Sequence, residues 1–322
     1  MKKTWLTTRS PRWTDPVTST LLKGETMYTS SEPGSGLLLT FIFNVLNGFI
    51  DENVNSYKNW QRIIEAFKHA YGLKTWLGDD PYLIREAKEN LTSEEFAKAT
   101  QKKIFDDRTC KKPTYYGAGN FPPPDTGSVN ICVLDIYGDS VVLTSSLSRN
   151  FGAGIASQST GIILNSQMGE FSSPCGHGEG CLPPNKANFI EHGKRPLTSM
   201  SPTVIVDIDN QMKFLVGATG GPRMITQIAL TVLKKLWFNM TLEEAVQHPR
   251  FHHQLFPMVL YLEKEFDVKE QALVTAFRQI GHEIEIEECP TYAGVTAIYK
   301  DHNNLYAVTD PRRPGSSYYI YT

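Results

Sequence analysis

The sequence predicts an α+β fold. Helical and strand-like periodicities both occur, and they do not alternate in the strict strand–helix–strand order of a doubly wound sheet. A Pro- and Gly-rich stretch at 109–127 also separates a helical first part from a strand-rich remainder.

Residues 1–30 are polar, with Pro11, Pro16 and many Thr and Ser, and read as a loop or loose terminus. Leu37–Ile50 is the longest apolar run, broken by Asn44 and Asn47. A membrane span needs about 20 apolar residues, so this run predicts a buried helix. From Ser56 to Tyr71, Trp60, Ile63, Ile64, Phe67 and Tyr71 recur at helical spacing, with Gly72 expected to stop the helix. Thr92-Ser-Glu-Glu95 is a capping-box pattern opening a short helix through Lys103. Beyond the Pro/Gly stretch, Val129–Leu134 and Ser140–Thr144 predict paired strands turning at Tyr137-Gly138-Asp139. Further strands are expected at Gly161–Asn165, Pro202–Asp207 and Lys213–Gly217. A helix follows over Ile225–Trp237 and another over Glu270–Ile280, then short strands at Thr296–Tyr299 and Leu305–Val308.

Composition narrows the function. The 322 residues carry 32 Lys and Arg against 34 Asp and Glu, a net charge of −2. Binding to a phosphate backbone draws on an excess of basic side chains, so no nucleic-acid partner is expected. Apolar residues make up 40% of the chain, which excludes an acidic disordered protein. Met-Lys-Lys-Thr-Trp at the start has the charge of a signal n-region, but no apolar stretch follows before Arg9, Arg12 and Pro16. Cys175 and Cys181 bracket a Gly-rich loop with His177 that could close as a disulfide; a fourth ligand is missing for zinc, so neither metal nor cofactor is expected. Cys132 sits in an apolar run and reads as a buried thiol.

Three segments could carry chemistry. Thr126 stands in a flexible loop before a strand, where a freed α-amino group could act as the base for its own hydroxyl. Val216-Gly-Ala-Thr-Gly-Gly221 ends an apolar strand shortly before a helix, so its amides could stabilise an oxyanion. Pro196-Leu-Thr-Ser-Met-Ser-Pro202 is rich in hydroxyls. On local sequence alone, each also reads as a plain turn.

Together these segments resemble the γ-glutamyltransferases, or glutathione hydrolases, of the N-terminal-nucleophile superfamily. The resemblance also rests on Glu65-Ala-Phe-Lys-His-Ala-Tyr71, Leu77-Gly-Asp79, Phe151-Gly152, Gly161-Ile-Ile-Leu-Asn165 and Glu170-Phe-Ser-Ser-Pro174. It extends to Ala187-Asn-Phe-Ile190 and Gly193-Lys-Arg-Pro-Leu197, all in family order. Ser148-x-x-Phe-Gly152 with Leu164-Asn-Ser-Gln-Met168 is most similar to the glutathione hydrolase 7 branch.

The resemblance implies an αββα sandwich, incomplete here because the first part of the family's large chain is missing. It implies a precursor that cuts itself before a threonine, so that 1–125 is the end of the large chain and 126–322 the small chain of one domain. Thr126 would be the nucleophile and Ser146 its assistant; Gly220 and Gly221 would form the oxyanion hole. Ser148, Gln167, Glu170, Thr198 and Ser199 would hold the substrate. Glutathione and γ-glutamyl compounds would be substrates, water or an amino acid the acceptor, and the location extracellular or membrane-anchored.

The chain departs from the family pattern at several of these positions. Ser128 stands where the family has His, Ser148 for Asn, Gln167 for Glu, and Glu170 for Asp. A Glu-to-Gln exchange replaces a charge-assisted bond of ~1.5–3 kcal/mol with a neutral one of ~0.5–1.5, or about tenfold in binding. The family's carboxylate-binding Arg lies in the missing part and would add ~2 kcal/mol. These departures motivate an alternative, a relative that binds or scaffolds without catalysis.

Overall fold

The computed structural model describes residues 15–122, 125, 127–174, 182–288, 293–302, 304–313 and 315. Strands β1 (Val17–Thr20) and β2 (Thr26–Thr29) come first, inside the stretch expected to be loop. Each is four residues, too short for a visible alternation, yet Val17 and Met27 are fully buried. Helix α1 (Gly36–Leu46) is buried on nearly every side, which is why its sequence reads as a continuous apolar run.

Helix α2 (Tyr57–Lys74) runs past the expected stop at Gly72. That glycine is there for packing: a Cβ would lie 2.0 Å from the Tyr116 carbonyl oxygen, in the 3-10 turn Pro113–Tyr116. Helix α3 (Pro81–Leu91) starts on an Asp80 cap whose carboxylate accepts from the Tyr82 and Leu83 amides. Helix α4 (Glu94–Gln101) follows, capped by Ser93.

The strands β3 (Val129–Leu134) and β4 (Ser140–Ser145) pair as a hairpin, as expected, with Val129 opposite Ser145. Gly161–Asn165 does not form a strand; only an isolated bridge joins Ala156 and Ile163. Its β-prone residues lie exposed on a loop with no sheet to pair with. Strands β5 (Thr203–Val206) and β6 (Met212–Thr219) lead into helix α5 (Arg223–Val232), which continues as one π-helical stretch, Leu233–Trp237. Helix α6 (Leu242–Gln247) has a complete Thr241/Glu244 capping box. Then come β7 (Phe251–His252), β8 (Leu260–Glu263), helices α7 (Lys264–Lys269) and α8 (Gln271–Gln279), and strands β9 (Ile284–Glu287), β10 (Gly294–Asp301) and β11 (Asn304–Thr309).

Six strands form one antiparallel sheet in the order β1-β2-β5-β6-β10-β11. It draws β1 and β2 from before residue 126 and the rest from after it. Along β6, Phe214, Val216 and Ala218 join the core with α1, α2 and α5, as a two-residue period requires. The opposite face of β6 receives the hairpin, with Asn130 of β3 lying against Gly217. The described residues therefore stack as helices, main sheet and second sheet. The outer face of the hairpin, with Val129, Ile131, Val133, Val141 and Leu143, is exposed.

Candidate active site

The last residues of β6 and the start of β3 meet at one corner. Gly220 and Gly221 follow β6 directly and precede α5, so their N–H groups have no strand partner and lie beside a helix N-terminus. Both donate to one atom, the Gly127 carbonyl oxygen, at 3.1 and 3.4 Å. Two amides converging on one carbonyl is the geometry of an oxyanion hole. Tyr71 of α2 braces this turn, its buried hydroxyl donating to the Pro222 carbonyl.

Gly127 has φ of +78°, and a Cβ there would fall 2.3 Å from the Ser148 carbonyl oxygen and 3.4 Å from Ser146 Oγ. Gly127 thus rests on the turn after β4. Ser146 Oγ accepts the Ser148 amide at 2.8 Å, and Gln167 Nε2 donates to the Ser146 carbonyl at 3.1 Å. Ser128, next in the chain, is buried with φ of +105°. A residue with a side chain held there stores about 1–3 kcal/mol of strain. Thr126 itself, like the Cys175–Cys181 loop with His177, lies outside the described residues.

Glu170 is 2% exposed, and neither carboxylate oxygen has a well-formed hydrogen bond. Burial, and then the nearby Asp125 charge, push its pKa up to about 7, against the pull of Ser148 and Lys74. Asp125 is buried too; it accepts the Ser199 amide at 2.8 Å and faces Lys74 Nζ at 3.4 Å. Lys74 also donates to the Ser199 hydroxyl, so Ser199 is wholly enclosed while Thr198 beside it is half-buried.

Gly127, Ser146, Ser148, Glu170, Ser199, Gly220 and Gly221 are therefore drawn together around Asp125, with Gln167 reached through Ser146 and Thr198 through Ser199. Lys74 was not singled out from the sequence. Its signal was present: it continues the Phe67–Tyr71 stripe of α2, and a lysine on an apolar stripe needs a buried partner. An open cleft of about 730 Å³ adjoins the corner, lined by Asp125, Gly127, Gly220, Arg223, Tyr261 and Arg313 among others. Arg223 is paired with Glu287 at 2.5 Å. Among the described residues no cluster of His, Cys, Asp or Glu could hold a metal. Cys132 is half-buried at the hairpin's inner face, and burial pushes its thiol up to about 12.

The family model for gamma-glutamyltranspeptidase matches residues 1–320. The chain belongs to the gamma-glutamyltranspeptidase family. Scoloptoxin SSD14 of Scolopendra dehaani is 36% identical over 264 residues, which are 80% of this chain and 45% of that protein. Glutathione hydrolase 3 of Arabidopsis thaliana is 34% identical over 244 residues, 74% of this chain and 38% of that protein. The chain thus spans less than half the length of these curated relatives.

Among solved structures, the gamma-glutamyltranspeptidase from Pseudomonas nitroreducens complexed with L-DON is 29% identical with a TM-score of 0.53; it covers 60% of this chain and 99% of its own. Cephalosporin acylase from Bacillus halodurans is 22% identical with a TM-score of 0.76, over 96% of this chain and 54% of that one. The second likeness gives the fold: a layered α+β arrangement shared with that structure extends across both the helical and the strand-rich parts of the chain.

Proposed function

We propose that this gamma-glutamyltranspeptidase chain carries an acyl-transfer site for γ-glutamyl compounds, glutathione among them. The observation that carries the reading is the pair of Gly220 and Gly221 amides converging on a carbonyl oxygen at the start of β3. In that position they would hold the oxygen of a γ-glutamyl amide as it becomes tetrahedral, and each such donor contributes about 10²–10³ in rate.

The nucleophile is Thr126, at the start of the segment 126–128, once the chain is cut before it and its α-amine is freed. The acyl group passes to its hydroxyl, the amine leaves with a proton, and water or an amino acceptor then takes the acyl group. Ser146 lies next to this segment and assists it. Glu170, with Gln167 and Ser148, receives the ammonium of the glutamyl group; Thr198 and Ser199 face its carboxylate. Chains 1–125 and 126–322 are read as large- and small-chain parts of one precursor. The solved bacterial chain agrees in size, since a share of this chain close to that of 126–322 covers nearly all of it.

We read the whole protein as extracellular or membrane-anchored, as the resemblance implies; among the described residues no helix is long and apolar enough to cross a membrane. Release of nitroaniline from a γ-glutamyl anilide tests the reading. Turnover is expected to appear with cleavage of the chain, and a cleaved, folded protein that neither turns over the anilide nor binds glutamate overturns it.

A further inference from the structure

We infer that Arg313 selects the amine side of the substrate: its guanidinium receives a carboxylate carried by the leaving amine or by the incoming amino acceptor. This rests on the acyl-transfer reading above and specifies its second compartment. The cleft of about 730 Å³ has the size of a small-molecule pocket, yet none of Ser148, Gln167, Glu170, Thr198 and Ser199 lines it. It meets the corner of the site at Asp125, Gly127 and Gly220. The acyl carbon is held at that corner. With the glutamyl group on the side of Glu170 and Ser199, the cleft is the space left for the amine. An amino acceptor enters where the first amine left, so both use the same space.

The charges of the cleft say what that amine carries. Among the described residues, its charged lining side chains are Asp125, Arg223, Glu287 and Arg313. Asp125 faces Lys74 at 3.4 Å, and Arg223 pairs with Glu287 at 2.5 Å while lying over the Tyr261 ring. Arg313 is exposed, and its guanidinium meets no acidic side chain among the described residues. Two pairs therefore cancel, and one cation is left facing the cleft. A guanidinium stays charged at every working pH and offers a planar fork that fits a carboxylate. Free amino acids and short peptides carry such a carboxylate, as does the glycine end of glutathione.

The sheet sets where Arg313 stands. Gly294 opens β10 and pairs with Thr219, the residue of β6 that directly precedes Gly220. A Cβ on Gly294 would lie 3.0 Å from the Cβ of Arg313, so Arg313 is packed on the strand beside the oxyanion turn. Its amide donates to the Asp310 carbonyl at 3.1 Å, and the buried Asp310 carboxylate in turn accepts the Val295 amide at 3.0 Å. The backbone is thereby tied to β10, while the long side chain can follow a ligand in the cleft.

The test compares glutathione with its glycine amide, in which the terminal carboxylate is a neutral carboxamide. Glutamate released by the cleaved 322-residue chain is measured for both, with melting curves to establish that each variant is folded. The preference is a ratio of kcat/KM values within one protein, so a change in the fraction of active molecules does not move it. The wild type is expected to favour glutathione about three- to tenfold, and this preference to shrink in ~1 M salt. Arg313→Gln is expected to treat the two alike, Arg313→Glu to prefer the amide, and Arg313→Lys to keep part of the preference. A wild type that uses both equally, or a folded Arg313→Gln that keeps the full preference, overturns this assignment and leaves the acyl-transfer reading standing. A folded, cleaved wild type that releases glutamate from neither sinks both.

Discussion

Glu170→Gln gives a quantitative check on the electrostatics of the site. The carboxyl is buried, and burial with the Asp125 charge raises its pKa from 4.5 to about 7. The folded chain therefore binds this proton more tightly than the unfolded chain. The stability it contributes is fully present below about pH 4.5 and is lost as pH rises through about 7, after which the loss is constant. A tenfold change in proton affinity is about 1.4 kcal/mol, so the ionised carboxylate costs the folded state about 3 kcal/mol above pH 7. Gln has nearly the shape of the protonated acid and cannot ionise.

The expected result is near-equal stability of the two proteins at pH 4–5 and a variant about 3 kcal/mol more stable at pH 8. For a chain of this size that is about 4 °C in melting temperature. Urea denaturation from pH 4.5 to 8.5 measures the gap directly. A gap that does not change with pH, or a variant less stable at pH 8, would refute the argument. The same chemistry bears on the proposed substrate. An ammonium arriving beside Glu170 favours the carboxylate, so binding of glutamate near pH 6 should release a proton, detectable by calorimetry in buffers of different ionisation enthalpy.

Other substitutions test the supports of the site. Among the described residues, Lys74→Met leaves buried Asp125 the Ser199 amide to offset its charge, and should cost about 3–5 kcal/mol in thermal denaturation; a loss below about 1 kcal/mol would show the pair carries little. Asp310 is buried between Arg250 (2.6 Å) and Arg312 (3.1 Å). Burial alone would raise its pKa, but the two guanidiniums outweigh it and hold the carboxyl below its ordinary 3.8. Its contribution is present above about pH 3.8 and lost as pH falls further, so Asp310→Asn should be less stable at pH 7 and show a shallower acid limb between pH 4 and 2. Parallel acid limbs would contradict this.

The elements read correctly from sequence are those whose burial repeats over many residues. The helices α1, α2 and α5 and the strands β3, β4 and β6 each carry a stripe or run long enough to show. Strands β1 and β2 were missed because four residues cannot display a period, and the pairing of β2 with β5 is decided about 175 positions away. Helix α3 was missed for the opposite reason: only Leu91 of its residues is buried, so no stripe exists, although Asp80-Pro81 announces its start. Gly161–Asn165 has strand-forming residues, but a strand is stable only beside another, and among the described residues it meets only the isolated bridge to Ala156.

The site shows the same division at finer scale. That Gly220 and Gly221 would present amides followed from glycines between a strand and a helix. Which carbonyl those amides would meet did not, because that depends on where β3 lies against β6. Register decides it. β3 begins at Val129, opposite Ser145, and β3 lies on β6 with Asn130 against Gly217. Once Asn130 is seated there, the chain running back from β3 reaches the end of β6 at Gly127, and its carbonyl meets the two amides. A shift of one residue would turn Asn130 outward, bring an exposed apolar side chain such as Val129 or Ile131 against Gly217, and present a different carbonyl to the hole. The packing of one buried asparagine thus fixes which carbonyl the two amides meet.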